Sequence, residues 1–196
     1  MINTIITLAV MALLLLYTIG VYNHLVALRN RYRNAFAQIH VQLQRRHDLI
    51  PNLVETAKRY LQHEEDTLTR VIQARQQAVQ AQGKAQQSPD NSALLSQLSQ
   101  TENNLSQALM RFHAVAENYP ELKANTTMVE LMEELSSTEN RISFARQAFN
   151  DGVMQYNTYR EQFPQNLVAS VGGFTEATLL TLENPDAKQA VKVNFN

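Results

Sequence analysis

Between residues 21 and 151 the chain holds a single glycine, Gly83. Tight hairpins and phosphate-cradling loops rely on glycine at positive φ, so β-rich folds and nucleotide-binding loops are disfavoured over most of the sequence. Cysteine is absent, which removes disulfides, thiolate metal sites and cysteine nucleophiles. Glutamine occurs 19 times beside abundant Ala, Leu, Glu and Arg, all good helix formers. For 196 residues the expectation is an all-α protein, one domain with an appendage.

The appendage lies at the start. No charged side chain precedes Arg29, and residues 2–22 are almost all apolar. As a helix they span about 31 Å, the thickness of a bilayer's hydrocarbon core. Tyr17 and Tyr22 fall at one end, where aromatic rings favour the interface. A cleaved signal peptide would want a basic leader, a shorter apolar core and a small-residue cleavage site. Met1 to Asn3 carry no Lys or Arg and no A-x-A-like site directly follows the apolar core, so an uncleaved single-pass anchor fits better. Arg29, Arg31 and Arg33 follow the span, where each would attract anionic lipid by about 1 kcal/mol. The positive-inside rule then puts the soluble part in the cytoplasm and the N-terminus outside.

No helix breaker ends the span. Leu25, Leu28, Tyr32, Phe36, Ile39 and Leu43 continue at three- and four-residue steps, which predicts one helix from about Ile2 to His47. Asp48 is placed to cap a second helix with Pro51 in its first turn, its face marked by Leu53, Ala57, Leu61, Leu68, Ile72 and Val79. Gly83 is expected to end it, leaving GKAQQSPDNS as a polar loop. A third helix carries Leu94, Leu98, Leu105, Leu109, Phe112 and Ala116 and stops at Tyr119–Pro120. The fourth is expected to be capped by Thr126 or Thr127 and to run through Met128, Leu131, Leu135, Ile142, Ala145, Phe149, Val153, Tyr156 and Phe163. Each helix has one apolar face and the connections are short, so neighbours pack antiparallel in an elongated bundle. The expected division is a transmembrane anchor at 1–24, the bundle at 25–165 and an irregular C-terminal tail at 166–196. Ala35, Ile39, Phe149 and Tyr156 are candidates for core or oligomer-interface positions.

Catalytic patterns are missing. A di-iron bundle needs Glu-x-x-His on two helices, and the sequence has none. His63-Glu64-Glu65-Asp66 fans out by about 100° per residue on a helix and cannot converge on one ion. No Gly-x-Ser-x-Gly, phosphate loop or dinucleotide fingerprint occurs. No catalytic, metal or cofactor residue is therefore assigned. The membrane-proximal arginines are few and tied to the bilayer, which argues against nucleic acid. The most unusual polar run is TENRISFARQAFND, with Glu139, Asn140, Arg141, Arg146, Asn150 and Asp151 amid apolar positions. It reads either as a solvated face with ordinary i,i+4 pairs or as a polar layer that fixes helix register, inside the bundle or against a partner.

Two stretches resemble the signatures of the LemA family of bacterial membrane proteins. They are YNHLVALRNRYRNAFAQIHVQLQRRHDLIPNLVETAKRYLQHE, residues 22–64, and TENRISFARQAFNDGVMQYNTYREQFPQNLVASVGGF, residues 138–174. The closing VKVNF is similar to the family's ending, while Phe36 and His40 stand where Trp and Asp are frequent. The resemblance implies a transmembrane helix continuing into long antiparallel helices in the bacterial inner membrane, and it brings no catalytic residue. Family members often accompany membrane metalloproteases and other envelope proteins, which implies an adaptor or scaffold role. The expectation is thus a non-enzymatic, self-associating membrane scaffold, whose partners are the lipid bilayer, further copies of the chain and a membrane protein such as a metalloprotease. An adaptor of a protease or envelope-stress pathway is the alternative.

Overall fold

The computed structural model describes residues 1–181, so the closing VKVNF lies outside the described residues. Six helices appear in the order α1 (Ile2–Lys58), α2 (Glu65–Gln87), α3 (Ser92–Ala116), α4 (Pro120–Lys123), α5 (Thr126–Glu161) and α6 (Gln165–Val171). Among the described residues there is no strand. The helices α1, α2, α3 and α5 form an up-down bundle in which α1 packs against α5 and α2, and α2 against α3. The first part of α1, to about residue 20, stands outside the bundle with its apolar side chains exposed. The bundle end beside this segment is its near end, and the end at Lys58 its far end.

Three boundaries differ from those the sequence predicts, each for a local reason. The first helix does not break at Asp48 but runs through Pro51 to Lys58. Proline at 51 deprives the His47 carbonyl of its helical donor, and the side chain of Arg75 on α2 supplies another. Helix α2 continues through Gly83 to Gln87, because Ala81 and Ala85 on either side are buried. A mid-helix glycine costs only about 1 kcal/mol relative to alanine, which such burial offsets. The buried face of α2 is Leu68, Val71, Ala74, Ala78, Ala81 and Ala85, while Ile72 is exposed. At the start of α5 the cap is Asn125, whose side chain accepts from the Met128 amide, and not Thr126 or Thr127. Asn91 caps α3 in the same way through the amides of Ala93 and Leu94.

Two apolar clusters form the core. The near cluster joins Leu25, Tyr32, Phe36, Ile39 and Leu43 of α1 to Ile142, Phe149, Val153 and Tyr156 of α5, with Leu95 and Leu98 of α3. The far cluster joins Ile50, Leu53 and Ala57 to Val71, Leu105, Phe112 and Leu135. Helices α1 and α5 approach closely at Gly152, where an added Cβ would lie 3.1 Å from the Tyr32 Cβ. The tight seam lets Tyr32 meet Tyr156 and Phe149 edge-on, with ring centroids 5.2 and 6.1 Å apart. Beyond α5 the predicted irregular tail contains the short α6, then an extended segment over residues 174–181. Phe163, expected on the apolar stripe, is exposed at the corner that precedes α6.

Candidate functional site

Every helix of the bundle contributes a polar residue to one buried layer between the two apolar clusters. The layer holds Arg46 and His47 from α1, Gln82 from α2, Ser99 and Glu102 from α3, and Thr138 from α5. In each helix these interrupt the apolar stripe, as Glu102 does between Leu98 and Leu105. Gln82 donates through Nε2 to the His40 carbonyl at 2.9 Å, so its Oε1 accepts from His47 Nδ1 at 3.0 Å. The other ring nitrogen, His47 Nε2, lies 2.8 Å from Glu102 Oε1. Arg46 closes the layer, its Nη1 lying 3.5 Å from Glu102 Oε2 and its Nη2 donating to Ser106 Oγ at 2.9 Å. Thr138 bonds back to the Glu134 carbonyl of its own helix. The layer is closed to solvent.

At the near end the extended segment is held by a ladder of asparagines on α5. Asn157 accepts from the Ala177 amide at 3.0 Å and donates to the Ala177 carbonyl at 2.8 Å. Asn150 treats Leu180 likewise, at 2.9 and 3.2 Å. Two helical turns separate the asparagines, about 10.5 Å, and three extended residues span about 10 Å, so the periods match. Tyr156 donates to the Thr175 carbonyl at 2.8 Å, and Ser99 of α3 donates to the Thr181 carbonyl. Each side-chain amide thus acts as a strand would, satisfying a backbone donor and acceptor that the sheetless fold leaves open.

The three arginines expected beside lipid all make protein contacts. Arg29 stacks over the Phe174 ring at 5.0 Å, and Arg31 donates to Gln155 Oε1 at 2.9 Å. Arg33 pairs with Asp90 in the α2–α3 turn, which also accepts from the Tyr32 hydroxyl at 3.0 Å. Burial pushes the Asp90 carboxyl up, but the bonds from Arg33 and Tyr32 outweigh it and hold the group below its ordinary value. Burial, then Asp90, pushes the Tyr32 hydroxyl well above the ordinary tyrosine value. Of the polar run on α5, Glu139, Asn140, Arg141 and Asp151 are exposed, Arg146 is half-buried, and Asn150 grips the tail. The buried polar layer instead uses Thr138, at the edge of that run. Ile39, Phe149 and Tyr156 sit in the near cluster and Ala35 packs against it, half-buried.

Among the described residues no group of three or more His, Cys, Asp or Glu side chains is placed to hold a metal ion. An open groove of about 650 Å³ between α2 and α3 is lined by Arg70, Gln77, Asn104, Gln107 and Arg111, with one carboxylate, Asp66, and no histidine. The described features are those of a helical bundle continuous with a helix long and apolar enough to cross a membrane. The chain belongs to the LemA family, whose model matches residues 35–195. No curated protein sequence matches it.

Proposed function

We propose that this protein is a single-pass membrane scaffold, without catalytic activity, whose rigid bundle self-associates at the surface of the bacterial inner membrane. The supporting observation is α1 itself, 57 residues without a break. Its first part is exposed and apolar, and the rest is the central strut of the bundle. A strut of this kind fixes the bundle's attitude to the bilayer, as a platform for other proteins requires. Self-association draws support from apolar side chains on the bundle's outer surface, Phe144 at 73% exposure and Val41 at 55% among them. The arginines that follow the span favour a cytoplasmic bundle by the positive-inside rule.

The test is the mass of the particle extracted in mild detergent. The scaffold reading expects a multiple of 22.3 kDa after the detergent is subtracted. A monomer at every concentration removes self-association and leaves the adaptor reading, in which the bundle binds a membrane metalloprotease or another envelope protein. Crosslinking in native membranes then identifies that partner.

A further inference from the structure

The corner between α5 and α6 leaves three large apolar side chains bare: Phe163 is 79% exposed, Leu167 59% and Val171 93%. They recur every four residues, while Ala169 on the other side of α6 is buried against the bundle. Their height along α1 is set by two ring contacts. Tyr159, just before the corner, lies 4.4 Å from His24 between centroids, and Phe174, just after α6, meets Tyr22 edge-on at 5.2 Å. Helix α6 also packs on α1. The exposed face therefore stands where the apolar segment of α1 enters the bundle.

Charge is missing there too. Residues 162–175 contain no Asp, Glu, Lys or Arg, the longest such run after the N-terminal one. The acids that flank it, Glu161 and Glu176, both reach Arg160, at 3.0 and 3.9 Å. A soluble partner's interface has a polar rim. Here the apolar face lies at the level where the bare side chains of α1 begin, and the neighbouring cations, Arg29 and Arg160, are engaged by Phe174 and by Glu161 and Glu176.

We propose that Phe163, Leu167 and Val171 insert into the headgroup–acyl boundary of the bilayer that α1 crosses, so that α6 is an interfacial helix holding the base of the bundle against the membrane. The inference rests on the reading of α1 as a membrane span. Interfacial helices bury their apolar face about 5–10 Å below the headgroups. Two points of attachment, a span and a neighbouring interfacial face, also fix the rotation of the bundle about the α1 axis.

The chain contains no tryptophan, so single substitutions report without background. Full-length L167W, V171W, L13W and F144W are reconstituted in phosphatidylcholine–phosphatidylglycerol vesicles, with and without lipids brominated near the carbonyl end and near the methyl end of their chains. All four positions are exposed, so the indole meets no packed neighbour. Emission from L167W and V171W is expected to fall about twofold in brominated vesicles, as for L13W, while F144W on the bundle's outer surface is unchanged. Quenching of L13W alone overturns the interfacial face and leaves the span standing. If L13W is unquenched as well, the span reading fails and the inference falls with it. Quenching of F144W also overturns it, because the whole bundle then lies on lipid.

Discussion

Arg75 donates from Nε to the backbone carbonyl of His47 at 2.6 Å, and that carbonyl is the acceptor whose helical donor Pro51 removes. A side chain on α2 thereby completes a turn of α1. Arg75→Ala is expected to destabilise the bundle by about 1–3 kcal/mol, the cost of an unsatisfied acceptor. Pro51→Ala restores an amide at 51, so the double variant should lose much less than Arg75→Ala alone. Thermal melts followed by circular dichroism check this, and additive losses in the double variant would show that the bond does not compensate for the proline.

The buried layer makes an opposite kind of prediction. Glu102→Ala leaves Arg46 and His47 buried without the carboxylate they share and should cost about 3–5 kcal/mol. The triple change Arg46→Met, His47→Leu, Glu102→Leu removes the charges together and is expected to recover most of that loss. Its cost should appear as lost uniqueness, broadened amide resonances or mixed particle sizes, because the layer's bonds join α1, α2 and α3. Sharp spectra and an unchanged particle in the triple variant would contradict the register role.

Asn157 and Asn150 hold the tail at two separate residues, so their effects are local. Asn157→Leu is expected to speed hydrogen exchange at the Ala177 amide by roughly tenfold or more, since two hydrogen bonds worth about 1 kcal/mol each are lost. Leu180, held by Asn150, should change less. Equal acceleration at both amides would mean that the segment detaches as one piece.

Asp90 sets an acid limit on the near end. Its folded pKa lies below the ordinary aspartate value, so the stability it contributes is present above about pH 3.9 and disappears as pH falls through the folded value. The wild-type melt should therefore fall more steeply in that acidic window than the melt of Asp90→Asn, measured by the same circular dichroism. Parallel curves would remove Asp90 from the acid response.

Much of this architecture was legible because its stripes are long. Leu25 to Leu43 and Ile142 to Tyr156 repeat at steps that only helices make, and the structure pairs them. The breakers misled for a physical reason. Pro51 and Gly83 act as punctuation only where nothing opposes them, and here a distant arginine and two buried alanines do. The buried layer left a readable trace, since Glu102 and Gln82 stand where Leu or Ala was due. Attention instead falls on residues 138–151, where polar side chains are dense but mostly point outward. Density of charge marks a surface, whereas a single polar residue on an apolar stripe marks a buried partner. The asparagine ladder was beyond reach, because nothing local says that an extended segment will lie along α5.

Helix α1 has one mechanical property that the bundle inherits. From Tyr22 to Lys58 it extends about 54 Å with no hinge. A change of tilt of about 20°, within the range of spanning helices, carries the far end sideways by about 18 Å. On the reading of α1 as a membrane span, its tilt thereby sets the position of Tyr60, Tyr119 and Asn125 at the tip. On that reading the molecule is a pointer whose pivot lies in lipid.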